Sequence, residues 1–446
     1  MRSEKLMDYI GQIDDSFIIE ADSQPANTKS ARRPRIKWVP AAIAAACLII
    51  SSAFLLILMR PSGPVDLPDL PKLTVNTDLG SFGFEGLMAY NIDELRNGNP
   101  WTENNDLETM PVFANPHEYD SAGAPVSGLT PEEMLAEAEK IADIFGLDVT
   151  SLYTEPALEE IEQIIQKMEA IGASEEEISR NTSIFYAAAK CNGAEIRVEK
   201  DGHVYLSLTP ETAHLAEEIE KLSAYESFEV SFDIKYKTED GTMYSTGLPL
   251  PAGYSFTFSN TSNEQALEIT QYLYSKYGAF TGITTPGFDV AADYTFSGVL
   301  TRPHTFVFEN EGTLTDRILN YNFRRLYFYA TDSGGLGGIS YYNADLSKKI
   351  GDYPIITAEE ARRLLLEGHY ITSVPEALPG KRYIAHVELI YRAGRLDTVF
   401  MPYYRFLVEL PSMELENGLK TYGAFYVPAV RSEYLENMPV WDGSFN

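Results

Sequence analysis

The chain has 446 residues, a length typical of about two or three domains, and carries 35 Lys and Arg against 65 Asp and Glu, a net charge of −30. So acidic a chain lacks the cations that a phosphate backbone requires, which excludes nucleic acid as a partner. Two cysteines exclude a disulfide scaffold and a Cys-rich zinc domain, and one apolar run of membrane-spanning length excludes a polytopic transporter.

In chain order, the first element is a short amphipathic helix over residues 3–21. Leu6, Ile10, Ile13 and Phe17 recur at spacings of four, three and four, one stripe of a helix. Alone, such a helix is marginal in water and needs a surface to lie on. These four residues are the candidate partner-binding set, facing either a cytosolic regulatory protein or the membrane interface. Residues 22–31 are polar and linker-like.

Trp38–Met59 reads WVPAAIAAACLIISSAFLLILM, without a charge. At 1.5 Å per residue it spans roughly 33 Å, enough for a bilayer core. The exit, Leu58-Met59-Arg60-Pro61, offers no small-x-small cleavage site, so an uncleaved signal anchor is expected. Arg32, Arg33, Arg35 and Lys37 precede the span, which places the N-terminus in the cytoplasm and residues 61–446 outside the cell membrane. Cys47 then lies in the bilayer and Cys191 outside, so the two cannot bridge.

The run Glu4-Lys5-Leu6, Ile13-Asp14-Asp15, Ile19-Glu20-Ala21-Asp22 and Arg32-Arg33-Pro34-Arg35-Ile36-Lys37-Trp38, followed by the Ala/Leu-rich span, resembles membrane-anchored, anti-sigma-factor-like proteins of Gram-positive bacteria. The resemblance covers about the first 60 residues. It implies a regulatory role in which the tail meets a cytosolic partner.

Beyond the span, Pro61, Pro64, Pro68 and Pro71 predict a semi-rigid stalk. Residues 97–128, rich in Asn, Pro, Gly and Ser, read as an extended connection, so 60–128 is taken as stalk and extended segment. Two regions follow, 129–250 and 251–446. Three helices are expected to begin with a capping box and stop at glycine: Thr130/Glu133 to Gly146, Ser262/Gln265 to Gly278, and Thr357/Glu360 to Gly368. Further helices are expected at 156–171 and at 210–223, the second capped by Thr209.

Strand-like alternation follows each capped helix. The first set is 184–189, 194–198, 203–208 and 228–237, with Asp201-Gly202 as a hairpin turn. The second set is 294–300, 305–309, 324–331 and 338–342; the third is 383–392, 398–410 and 421–430. The expected class is α+β: one transmembrane helix, then repeated helix-plus-antiparallel-sheet units. Tyr341-Tyr342-Asn343, Asp352-Tyr353-Pro354, Ile356-Thr357-Ala358-Glu359-Glu360-Ala361, Val387-Glu388-Leu389-Ile390-Tyr391 and Met401-Pro402-Tyr403-Tyr404-Arg405-Phe406 together resemble PepSY-type domains. They also resemble the extracytoplasmic parts of proteins that regulate two-component systems. This second resemblance covers roughly residues 260–430. It implies binding of peptides or proteins, or inhibition of proteases, rather than catalysis.

No motif supplies an enzyme. His214 and Glu217 form one i,i+3 pair, short of the three or four ligands a zinc site needs. His386 and Glu388 alternate on one strand face and read as a polar pair in a sheet. Asp332-Ser333-Gly334-Gly335 imitates a serine-protease nucleophile segment over four residues only; with His304 it reads as a Gly-rich turn rather than part of a triad. No Walker A loop, G-x-S-x-G or EF-hand loop occurs. Catalytic, metal and cofactor residues are therefore expected to be none. The reading is a single-pass envelope protein whose ectodomain binds an extracytoplasmic protein or peptide and regulates through its tail. The alternative is a tethered extracytoplasmic protease inhibitor or chaperone with a passive tail.

Overall fold

A Ser or Thr oxygen caps five of the six α-helices among the described residues of the computed structural model, which are 69–77, 85–120, 123–232, 235–237 and 243–443. No helix among the described residues is long and apolar enough to cross a membrane. The span expected at 38–59 and the tail helix with Leu6, Ile10, Ile13 and Phe17 lie outside the described residues.

The elements run as follows. Strands β1 (Gly86–Ala89) and β2 (Thr109–Ala114) precede α1 (Pro131–Phe145) and β3 (Val149–Glu155). Then come α2 (Ile161–Ala170), α3 (Glu175–Thr182), β4 (Tyr186–Cys191), β5 (Ala194–Glu199), β6 (Val204–Leu208) and β7 (Ser227–Phe232). A small hairpin, β8 (Lys235–Lys237) and β9 (Met243–Ser245), leads to α4 (Asn263–Tyr277). Next are β10 (Pro286–Val290), β11 (Asp293–Tyr294), β12 (Leu300–Thr301), β13 (His304–Glu309), α5 (Leu314–Phe323), β14 (Arg324–Ala330) and β15 (Leu336–Asn343). The chain closes with β16 (Lys349–Pro354), α6 (Ala358–Leu366), β17 (Ile371–Thr372), β18 (Ile384–Arg392), β19 (Val399–Glu409) and β20 (Lys420–Pro428). The class is mixed α+β, mostly sheet.

The capping signals work as local chemistry. Thr130 Oγ1 accepts from Glu133 N at 3.2 Å while Glu133 Oε2 accepts from Thr130 N at 2.8 Å, and Gly146 closes α1 at φ 66°. Ser262 and Gln265 form the same box on α4. Gly278 does not close that helix in the left-handed conformation; its φ is −87°, and glycine is needed because a Cβ would lie 2.2 Å from the Tyr274 ring. On α6, Thr357 accepts from Glu360 N, but Glu360 leans toward Arg363 at 3.9 Å instead of reaching back. The expected helix at 210–223 is a 3-10 helix over Ala213–Leu222, kinked at Glu218, and it follows Thr212 rather than Thr209. The Thr212 hydroxyl is bonded to Gly193 O and accepts from Thr209 N, so this turn is tied to the β4–β5 connection.

Two sheets carry the core. The larger runs β10-β13-β14-β15-β7-β6-β5-β4-β3, antiparallel except for β6 beside β7. It therefore contains two four-strand meanders, β3–β6 after α1 and β10, β13, β14, β15 after α4, joined through β7. Both helices pack in one cluster on one face: Met134, Ala138 and Ile141 from α1, Ile269, Leu273 and Tyr277 from α4, against Ile196, Leu206, Val230 and Phe328. The boundary expected at residue 250 thus does not divide the structure, because β7 pairs with β15 across it.

The smaller sheet runs β1-β20-β19-β2-β16, with β17 on β20 and β18 on β19. Both faces are covered, which is why β19 and β20 are buried almost continuously rather than at alternate positions. One face meets α6 through Ala361 and Leu365; the other meets Leu73, Val75 and Tyr434. From residue 69 onward the expected stalk and extended connection are corrected here; Pro61, Pro64 and Pro68 lie outside the described residues. Leu73 N donates to Tyr434 O at 2.8 Å, Trp101 is buried, and β1 and β2 are strands of this sheet. The few apolar side chains of that polar stretch suffice because the C-terminal strands already supply the ladder. Helix α5 sits between the sheets, with Tyr321 against Phe306 and Phe308 on one side and Ile318 and Phe323 packed with the smaller sheet on the other.

Candidate functional site

A cleft of about 500 Å³ opens where turns of the two sheets meet. The β5–β6 hairpin contributes Asp201, Gly202 and His203, the chain before β7 contributes Tyr225 and Glu226, and the end of β15 contributes Tyr342 and Asp345. From the smaller sheet come His117 and Tyr119, beyond β2, and Arg395 in the β18–β19 turn. Gly202 takes φ +89°, the left-handed value that a tight hairpin requires. The opposing turn is braced by buried Asp397, which accepts from Gly394 N at 2.9 Å, and by Asn115, which donates to Asp397 O at 2.8 Å. These bonds aim Arg395 across the cleft.

Arg395 Nη2 lies 2.8 Å from Glu199 Oε2 and 3.8 Å from Asp201 Oδ2, and its guanidinium sits 5.6 Å from the centre of the Tyr119 ring. Tyr119 OH donates to Asp201 Oδ2 at 3.0 Å. Burial, then the Asp201 charge, push the Tyr119 hydroxyl well above its ordinary value, so it remains a donor. Burial also raises Glu199 against the pull of Arg395. His203 Nδ1 bonds Ser227 Oγ, its ring lies 4.4 Å from that of Tyr205, and its buried Nε2 has no hydrogen-bond partner among the described residues. Burial lowers this histidine to about 4 although Asp201 opposes the shift, so the ring is neutral at pH 7. Glu226 is raised by burial and by Asp345.

A second cluster lies at the inner seam. Glu388 on β18 pairs across the strands with Arg405 on β19; its Oε2 accepts from Arg405 Nε at 2.9 Å and from Nη2. Oε1 accepts from Asn97 Nδ2 at 2.8 Å and faces His386 Nε2 at 3.3 Å. Burial alone would raise Glu388, but Arg405 and His386 hold it down to about 2. Nearby, Asp289 Oδ2 accepts from Tyr321 OH at 2.7 Å and from Gly98 N at 3.2 Å, and its burial raises it. His386 and Glu388 are thus joined, as the alternation on β18 implies. A carboxylate that acidic, with its oxygens occupied, holds structure together and is a poor proton acceptor.

The other sequence candidates sit apart from the cleft lining. Glu217 pairs with Lys276 at 3.2 Å rather than with His214. Ser333 belongs to the β14–β15 turn, where Gly334 has φ +90° and Gly335 approaches Thr246 O so closely that a Cβ would lie 2.1 Å away. His304 faces the rings of Tyr327 and Tyr329 at 5.5 and 5.8 Å. No group of three or more His, Cys, Asp or Glu among the described residues could hold a metal ion. Cys191 is a free thiol, raised by burial and by Asp148. Of the cleft residues, the sequence pointed to the Asp201-Gly202 turn and, within the PepSY-type resemblance, to Tyr342 and Asn343. The meeting of the Asp201-Gly202 turn with the Arg395 turn joins positions almost 200 residues apart and has no local signal.

Comparison with protein-family models, with curated proteins and with solved structures returned no match.

Proposed function

We propose that the unit beginning at Leu70 is the extracytoplasmic, non-enzymatic binding part of a single-pass envelope protein, and that it regulates a cytosolic partner through Leu6, Ile10, Ile13 and Phe17. The ligand of the cleft is a protein or peptide segment. The observation that carries this reading is the construction of the cleft itself: its walls come from both sheets, and the ion pairs of Arg395, which lines it, with Glu199 and Asp201 join the two. A segment seated in the cleft lies against Asp201 and Arg395, so its binding competes with the contact that joins the two sheets. Tyr225, Tyr342 and Phe400 offer apolar and hydroxyl surface, while Glu226 and Asp345 offer acceptors, a mixture suited to backbone and side chains of a peptide. The two helix-led meanders of the larger sheet and the third capped helix before β18–β20 support a repeated, PepSY-like organisation.

The test uses the full chain in cells. Arg395→Glu and deletion of residues 1–22 are each expressed in place of the native protein, and transcripts are compared. Signalling through the tail predicts overlapping sets of changed genes. If the tail deletion leaves transcription unchanged, the regulatory reading fails and the tethered inhibitor or chaperone replaces it.

A further inference from the structure

Sheet edges expose unpaired backbone groups, and proteins normally cover them. This chain covers four of its own. The edge strand β10 has residues 97–99 beside it, with Gly98 N bonded to Asp289 and so close that a Cβ there would lie 2.4 Å from Phe288 O. On β18, Tyr391 N donates to Asn322 Oδ1 at 3.0 Å and Leu389 O accepts from Asn99 at 3.3 Å. Strand β16 is flanked by Leu70 against Gly351, and β1 by Asp293, which accepts from Met88 N at 2.6 Å. At the far end of the larger sheet stands β3, seven residues long, and among the described residues no strand pairs with its outer edge.

Three further observations gather at that edge. The β3–β4 register shifts between Val149 and Ser151, but beyond that point Ser151-Leu152-Tyr153-Thr154 pair regularly and include no charge, glycine or proline to blunt the edge. Leu152, Leu158, Ile171 and Phe185, all exposed large apolar side chains, belong to β3 and the segment that leaves it and returns to β4. That segment holds α2, which has no fully buried residue although Ile161, Ile164, Ile165 and Met168 form an apolar stripe. Seven glutamates between Glu155 and Glu177 are exposed there, against exposed Lys167. Such a surface repels a second copy of itself and attracts a cation.

We propose that the outer edge of β3 accepts an extended, basic peptide segment of a partner protein as a tenth strand of the larger sheet, with the partner's alternate apolar residues meeting Leu152 and the α2 region. Main-chain hydrogen bonds supply the pairing, and the glutamates select positive charge. This site is separate from the cleft and does not depend on its ligand.

The experiment uses the full chain in detergent and two labelled ten-residue probes, one alternating Lys and Val, the other Glu and Val. The Lys/Val probe is expected to bind at least about tenfold more tightly, a difference of about 1.4 kcal/mol, and to slow amide exchange of residues 149–155. Leu152→Lys places a like charge on the edge and is expected to weaken that binding about tenfold or more; an unchanged melting temperature shows that the variant is folded. Equal binding of both probes, or protection elsewhere than 149–155, overturns the proposal. Protection of 149–155 that rises with protein concentration without any probe also overturns it, because the edge then takes a second copy of the chain. Loss of the Arg395→Glu transcript effect leaves this result untouched, so the two readings fail separately.

Discussion

At the inner seam, Glu388 and Arg405 meet with side chains 1% and 25% exposed; at the cleft, Glu199 and Arg395 meet with side chains 20% and 48% exposed. Both clusters join an arginine of the smaller sheet to acids, yet their surroundings set opposite roles. In the seam, the carboxylate is shut off from water, both of its oxygens are committed, and its removal strands the Arg405 charge. At the cleft, solvent screens the pair, and each group can exchange its partner for water or for a ligand. Burial therefore decides which of two similar ion clusters fastens the fold and which is free to respond.

The strongest way to break this comparison is Glu388→Ala. It leaves Arg405 half-enclosed without its carboxylate and frees Asn97 Nδ2, so we expect a loss of about 3–5 kcal/mol in urea unfolding. A loss below about 1 kcal/mol would place the seam pair in the same class as a surface pair.

Acid separates the clusters next. Glu388 has a folded value of about 2 against an ordinary 4.5, so its contribution is complete above pH 4.5 and is lost as pH falls through about 2. His203 has a folded value of about 4 against an ordinary 6.5. Its neutral ring is favoured in the fold, so its contribution is complete above pH 6.5 and is lost as pH falls toward 4. Asp289, raised by burial, works the other way, since its protonation relieves a cost. Urea midpoints measured against pH should therefore fall in two stages, the cleft histidine first and the seam carboxylate later. His203→Asn should flatten the first stage alone.

Local signals made much of the fold legible. The Thr130/Glu133 and Ser262/Gln265 boxes, the Asp201-Gly202 turn and the alternating strands of the larger sheet are each written within a few residues. Helix α5 escaped because its box uses Asp316 where Glu or Gln is the usual signal, although Thr313 and Asp316 make the same reciprocal bonds. Strands β1 and β2 escaped because a strand completing a sheet needs little apolar pattern of its own; Pro111 and the polar flanks of β2 hid it. Neither ion cluster is local. Glu388 and Arg405 are 17 residues apart on neighbouring strands, and Glu199 and Arg395 are 196 apart, so only the register and the meeting of two turns bring them together.

The smallest effect sharpens the comparison most. Arg395→Ala removes the 2.8 Å pair with Glu199, the looser contact with Asp201 and the cation–π contact with Tyr119. For a half-exposed pair the expected cost is about 0.2–1 kcal/mol, far below that of Glu388→Ala. Glu199→Gln should cost a similar amount, and the double variant should cost less than the sum, because each single change removes the same interaction. Stability alone would make this cluster a minor copy of the seam. Its distinct role lies in the cleft, so the informative reading is amide exchange. Arg395→Ala should speed exchange around Asp201–His203 and Gly394–Asp397, the two turns that it bridges, while Tyr391 N, held by Asn322, stays protected. If exchange at Tyr391 accelerates as well, the cleft bridge and the seam open as one unit, and the division between fastening and responding does not hold.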